Sequence, residues 1–257
     1  MSSKSGQLTQ VDILMPCRNV SRWVDAAVLS LLSQSFSRWR LLAWDDGSID
    51  DTYSHLKFWA EQDERISVAR PHEVGVGYIH LLNEMMTSVR APLVARQDAD
   101  DLSTPGRLFA QVRYLEHHSN VVLVGTKGHN IDSRNGDRFF EYRWERDVVN
   151  SCCGEDLSQL MRSEHRVIHG AMMIRSEVLR EIGGWDEALA PVEDWDLCLR
   201  ASAVGEVHNV PVVGYIRRFH GENVSDGHPN KAAALAEIVR RHGLEDFRHR
   251  SYRTEVP

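Results

Sequence analysis

The chain is predicted to be an α/β protein whose central sheet is Rossmann-like, mainly parallel and flanked by helices. Three observations carry that expectation. Short apolar runs alternate with amphipathic stretches between Val11 and Ala95, the β-α-β-α-β-α-β order of a parallel sheet with crossover helices. Three of those apolar runs end in polar clusters, Pro16 to Asn19, Asp45 to Ser48 and Asp98 to Asp101; ligands of such sheets bind beyond the carboxyl ends of the strands. Finally, 257 residues suit one large α/β domain or two small ones, and 42% hydrophobic with 26% charged side chains is an ordinary globular balance.

Val11 to Met15 reads as the first strand, stopped by Pro16. Val24, Ala27, Val28, Leu31 and Leu32 then fall on one helical face. Arg40 to Trp44 is the second strand, and the helix after it runs from about Asp50 to Gln62. Ile66 to Ala69 is the third strand; Gly75 and Gly77 mark a turn into a helix reaching Ser88. Leu93 to Ala95 is the fourth and delivers Asp98, Asp100 and Asp101. Thr104 caps the following helix with Pro105 at its first position, and Leu108, Val112 and Leu115 mark its buried face. Val121 to Gly125, Gly170 to Ile174 and Val207 to Arg217 are read as later strands, with Arg138 to Trp144 an edge strand. Gly154 to Arg162, Ser176 to Ile182, Glu193 to Ala203 and Ala232 to Arg241 are read as helices.

Composition removes several function classes. A net charge of −7 argues against a general nucleic-acid binder, which needs a basic footprint. No apolar run reaches the length of a membrane span, and Met1 to Gln10 lacks the apolar core of a signal peptide. Cys17, Cys152, Cys153 and Cys198 form no C-x-x-C pair, so a zinc-thiolate site is not expected; reduced thiols point to a cytoplasmic protein. Among the C-terminal arginines, Arg240, Arg241, Arg248, Arg250 and Arg253 are candidates for a peripheral contact with an anionic membrane, although interleaved acids favour a solvated tail.

Acids packed as closely as Asp98, Asp100 and Asp101 repel one another unless a cation or a set of donors holds them. Oxygen ligands at a strand end suit a hard divalent ion; a solvated loop before a helix is the plainer alternative.

Several segments together resemble family 2 glycosyltransferases. They are Val11 to Asn19, Leu31-Leu32-Ser33-Gln34-Ser35-Phe36, Asp45-Asp46-Gly47-Ser48-Ile49-Asp50-Asp51-Thr52, the D-x-D region Ala95 to Arg107, and the late acidic pair Glu193-Asp194. The resemblance spans about residues 11 to 220, with the motifs in the family's order. It implies the A-type glycosyltransferase fold, with a smaller mixed sheet on the acceptor side. It also implies a nucleotide-sugar donor, a Mn²⁺ or Mg²⁺ cofactor, and inversion at the transferred carbon. One domain is expected, with a nucleotide-sugar-binding half at 10–105, an acceptor half at 106–220 and a C-terminal helical tail at 221–257.

By that resemblance Asp100 is the main metal ligand, Asp98 contacts ribose or metal, and Asp194 is the general base. Asp46 is placed on the nucleotide base, with an Asx-turn as its alternative role. Pro16 and Asn19 shape the first loop, Asn19 serving equally well as a helix cap. Arg107 is a partner for the acids or the diphosphate, or a structural arginine; Trp185 stacks on an acceptor sugar or packs under its turn. Glu193 and Asp196 are neighbours for acceptor hydroxyls or structure, His220 a third metal ligand or phosphate contact, and His169 a group near acceptor or pyrophosphate.

Two departures stand out. Where the family usually carries asparagine before a glycine, this chain has His72-Glu73-Val74-Gly75-Val76-Gly77. Nothing after Asp194 matches the Q-x-x-R-W motif of processive members, so a single transfer is expected, to a saccharide, lipid-linked or small-molecule acceptor. A catalytically silent nucleotide-sugar-binding module is the alternative from another class. A sugar nucleotidyltransferase is weaker, because Cys17-Arg18-Asn19-Val20 has one arginine and no glycine for a triphosphate loop.

Overall fold

A computed structural model describes residues 9–134, 136–140, 149–150, 152–221 and 228–244. The strands are β1 (Val11–Cys17), β2 (Trp39–Asp45), β3 (Ile66–Ala69), β4 (Leu93–Arg96), β5 (Leu102–Ser103), β6 (Val121–Asp132), β7 (Arg138–Phe140), β8 (Met173–Arg175) and β9 (Glu206–Phe219). The helices are α1 (Val24–Leu32), α2 (Thr52–Gln62), α3 (Tyr78–Met86), α4 (Arg107–His117), α5 (Ser176–Glu181), α6 (Glu193–Ala201) and α7 (Lys231–His242).

The sheet runs in the order β3-β2-β1-β4-β8-β6-β9-β5, with β7 on β6. β1 to β4 are mutually parallel, as predicted, so their carboxyl ends share one edge. The mixed acceptor-side part continues this sheet through β8, which is antiparallel to both β4 and β6.

Alternation along β1 divides the core. Val11, Ile13, Met15 and Cys17 join α1, α2 and α4 on one face, and Leu14 joins α3, α5, α6 and α7 on the other.

Pro16 does not stop the first strand, which continues to Cys17. Its pairing explains why proline is tolerated. The Leu14 carbonyl accepts from Gln97 N toward β4, while β4's own register ends at Arg96. Pro16 has the same parity as Leu14, so its missing N–H faces the side β4 has left.

Asp12 is the charged residue inside β1 and is wholly buried. It accepts from Arg40 Nε and Nη2 at 2.9 and 3.0 Å and from the Arg90 and Ala91 amides at 2.7 and 2.9 Å. The carboxylate thus ties β1 to β2 and to the turn before β4.

Other expectations shift. Thr104 does not cap α4; its hydroxyl donates to the Val213 carbonyl, and the helix begins at Arg107. Residues 154–162 hold only a 3₁₀ turn, Leu160–Arg162, and β8 is shorter than expected because His169–Ala171 is also a 3₁₀ turn. β7 covers Arg138–Phe140, while 141–144 of the expected edge strand lie outside the described residues. No two cysteines are joined, and among the described residues no helix is long and apolar enough to cross a membrane. Arg240 pairs with Glu237 and Arg241 with Asp186, so those two cations are already engaged by acids; Arg248, Arg250 and Arg253 lie outside the described residues.

Candidate active site

The loops after β1 and β2 are sewn together. Asn19 takes a left-handed conformation at φ 52°, which asparagine tolerates. Its amide donates to Ser48 Oγ at 2.9 Å, and its Oδ1 accepts from Ile49 N at 3.0 Å. Asn19 therefore braces the second loop and does not cap α1, which starts at Val24. Asp45 makes the Asx-turn, accepting from Ser48 N at 3.1 Å.

Asp46 is 2% exposed, and both its oxygens serve the loop before α3. Oδ1 accepts from Val76 N at 2.7 Å and Oδ2 from Gly77 N at 3.0 Å. Arg18 stands 3.6 Å away. The expected contact with a nucleotide base therefore has to use a remaining lone pair or follow movement of this loop. Gly47 allows the close approach: at φ 66° it sits where a Cβ would meet the Glu73 to Gly75 backbone within 2.9 Å.

The acidic loop follows β4 and is held by a buried cation. Arg96 is 1% exposed, and its guanidinium donates to Asp98 Oδ1 at 2.6 Å and to the Leu14 carbonyl at 2.9 Å. From β9, Tyr215 places its hydroxyl 3.1 Å from the Asp98 amide, which donates to it. Asp98 and Asp100 keep 35% and 21% of their side-chain surface. Asp100 Oδ2 meets His220 Nε2 at 2.9 Å, and its Oδ1 accepts no hydrogen bond among the described residues. His220 stacks on Trp23 at 5.9 Å between centroids.

Asp101 turns inward instead. It accepts from Arg218 N at 2.6 Å, and burial together with the charges of Asp100 and Asp98 pushes its carboxyl well above the usual range. It is a strap between the acidic loop and the end of β9.

The oxygens of Asp98 and Asp100 suit a hard divalent ion such as Mn²⁺ or Mg²⁺ chemically, and Asp100 Oδ1 has no hydrogen-bond partner among the described residues. The expected trio Asp98, Asp100 and His220 is not drawn together as one group; Asp100 and His220 touch, and Asp98 is held by Arg96.

Arg107 carries no exposed surface. Its guanidinium donates to Gln97 Oε1, Ser103 Oγ, Gln111 Oε1 and the Arg96 carbonyl, so it supports the loop from beneath and does not reach a diphosphate. The acceptor candidates also sit lower than expected. Trp185 is 2% exposed, which leaves no face for a sugar, and its Nε1 donates to His169 Nε2 at 2.9 Å. Burial, then the Arg96 charge, holds His169 well below its ordinary value, so it is a neutral acceptor between Trp185 and Arg96. Asp196 is buried and bound to Arg200 and His242, which anchors α7.

Glu193 and Asp194 open α6, where the helix dipole favours acids. Glu193 is 2% exposed and accepts from the Tyr78 hydroxyl at 2.7 Å. Burial and then the Asp194 charge push its carboxyl up to about 8. Asp194 retains 22% of its side-chain surface; Oδ1 accepts from Trp195 N at 2.8 Å, and Oδ2 lies 3.6 Å from His165. Loss of solvation pushes its carboxyl up to about 7, and the Asp98 charge adds to this from the acidic loop.

Arg96, Tyr215 and Tyr78 carry no sequence signal as site residues, being linked to their partners across the fold. Gly170 belongs with them. A Cβ there would fall 2.0 Å from the Tyr215 hydroxyl and 2.6 Å from Asp98 Oδ2. We expect Gly170→Ala to cost about 1–3 kcal/mol of stability through overpacking against the rigid ring and to weaken donor binding; denaturant unfolding and ligand titration check the two effects.

Asp98 and Asp100 follow β4 at the carboxyl-end edge of the parallel strands, where α/β proteins bind their ligands, and a further acid, Asp194, opens α6. The chain matches Glycosyl transferase family 2 over residues 12–183, more than half its length, and belongs to that family. An uncharacterized glycosyltransferase of Haemophilus influenzae is 24% identical over 238 residues, 91% of this chain and 73% of that protein. Staphylococcus aureus TarS 1-349 in complex with UDP-GlcNAc superposes with TM-score 0.70 at 16% identity, over 90% of this chain and 66% of that one. Mannosyltransferase PcManGT from Pyrobaculum calidifontis, solved with GDP-Man and Mn²⁺, gives 0.67 at 15%, over 92% and 64%. The chain thus spans about two thirds of each solved neighbour, and the shared fold is the A-type glycosyltransferase fold.

Proposed function

We propose that the chain is a metal-dependent, inverting glycosyltransferase that moves one sugar from a nucleoside-diphosphate sugar, of UDP or dTDP type, to an acceptor hydroxyl. The observation that carries this reading is the electrostatic meeting of two distant motifs. Asp98 raises the carboxyl of Asp194, and Tyr78 feels Glu193, Asp194 and Asp98 together. The geometry runs the same way: Arg96, which holds Asp98, lies 3.5 Å from His169 Nε2, and His169 Nδ1 lies 3.7 Å from Glu193 Oε1, so the fold brings the two acidic motifs close in space, as perturbed carboxyls of functional sites are.

Asp194 takes the proton of the acceptor hydroxyl as that oxygen attacks the anomeric carbon; the bond to the diphosphate breaks on the opposite face and the nucleoside diphosphate departs. Trp195 N occupies Oδ1, which leaves Oδ2 as the basic oxygen. Arg96 and Tyr215 hold Asp98 for the donor. Asp98 and Asp100 would hold the divalent ion, which takes up developing diphosphate charge as a Lewis acid. Glu193, the residue before the base, accepts from the Tyr78 hydroxyl, and burial and the Asp194 charge favour its protonated form.

The pH profile follows with its sign. Asp194 acts only when ionised, and its carboxyl sits near 7. We expect kcat/KM to rise about tenfold per pH unit below that value and to level above it; a rate independent of pH from 5 to 8 would contradict the assignment. The reading as a whole is tested by thermal shift with nucleoside diphosphates and nucleotide sugars, with and without Mn²⁺, because a ligand of the native state raises the melting temperature. Stabilisation by one nucleotide class that requires Mn²⁺ supports it, and no stabilisation by any of them overturns it.

A further inference from the structure

We infer that His72, His80 and Glu84 form a site for a zinc-type transition-metal dication, separate from the acidic loop. Each offers one ligand atom, and the three atoms lie within 4.8 Å of one another. Among the described residues this is the group of three His, Cys, Asp or Glu side chains that meets this condition. His80 and Glu84 are four apart on α3 and so share a helix face. His72 arrives from the loop after β3, at the head of the His72 to Gly77 segment in which the chain departs from its family's pattern.

The local bonds resemble a metal site's supporting shell. His72 Nε2 and Glu84 Oε2 are already 2.7 Å apart. His80 Nδ1 meets Glu187 Oε1 at 3.0 Å, which leaves Nε2 for an ion and lets the carboxylate fix the ring's tautomer. The side chains of His72, Glu84 and His80 are 29%, 34% and 43% exposed, so the small rotations needed to close around an ion are open to them. Two imidazoles and one carboxylate, with a fourth position for water, are ligands for Zn²⁺, Co²⁺ or Ni²⁺ rather than Mg²⁺.

The site's place gives it a role. His72 and His80 flank the loop whose Val76 and Gly77 amides hold Asp46. An ion bound to both flanks stiffens that wall of the cleft, and Glu187 extends the tie to the turn ahead of α6.

The test uses the tag-free full chain, titrated with Zn²⁺ against a chromophoric chelator and with Co²⁺ by visible absorption. One equivalent should bind in the wild type and in Asp100→Ala alike, and millimolar Mg²⁺ should not displace it. His72→Gln and His80→Gln should each weaken it at least about tenfold, and Glu187→Gln about 10–100-fold with stoichiometry kept. His72 lies in a loop, so His72→Gln tests the site even where a helix substitution disturbs folding. Failure of the wild type to take up an equivalent, or unchanged Zn²⁺ affinity in the folded His72→Gln chain, overturns the inference and leaves these side chains as ordinary ion pairs. Loss of the equivalent in Asp100→Ala would also overturn it, by assigning the ion to the acidic loop.

Discussion

Asp194→Asn is expected to lower sugar transfer about 10²–10⁴-fold, the usual contribution of a positioned general base. Donor binding should stay unchanged, because Asp194 lies on α6 while the diphosphate is proposed to lie at the acidic loop after β4. The amide preserves shape and still accepts from Trp195 N through its carbonyl, so loss of packing does not explain the defect. What vanishes is the basic oxygen whose proton affinity burial has raised into the neutral range. The variant should also be more resistant to unfolding at alkaline pH. A carboxyl raised in the folded state opposes folding progressively as pH climbs from its unfolded value toward 7, and an amide removes that opposition. Single-turnover transfer, donor titration and melting from pH 5 to 9 check the three parts. Transfer at the normal rate would place the base elsewhere.

Asp12→Ala should destabilise the fold by about 3–5 kcal/mol, a large share of the stability of an ordinary domain. The change leaves the amides of Arg90 and Ala91 without their acceptor beneath the sheet. Arg40 loses its bidentate partner but is 24% exposed and can recover water, so most of the cost comes from the stranded amides. Equilibrium unfolding in urea measures it; a loss under about 1 kcal/mol would mean that water replaces the carboxylate.

The first half of the fold was legible because β1 to β4 alternate with helices that each bury one face, a pattern written in residue spacing. The strand stop expected at Pro16 failed because it depended on where a neighbouring strand ends. Beyond Val121 the signal fades for physical reasons. β8 is three residues long, β6 and β9 pair through register shifts, and His169 sits in a 3₁₀ turn without periodicity. The acids of the site were readable as polar clusters at strand ends. Their supports were not: Tyr215 reaches Asp98 across 117 positions and Tyr78 reaches Glu193 across 115. Burial also decided between paired expectations, settling Arg107 and Trp185 in the interior.

The acidic loop remains the pivot of the proposed chemistry, with Asp98 fixed by Arg96 and Asp100 Oδ1 accepting no hydrogen bond among the described residues. Calorimetric titration of UDP and Mn²⁺ into the wild type and Asp100→Ala is therefore the most direct measurement. Metal-dependent binding to the wild type and its loss, by about a hundredfold or more (about 2.7 kcal/mol), in the variant is the expected result. Equal affinity in the two proteins with Mn²⁺ present would contradict the placement of the diphosphate and its ion at Asp100.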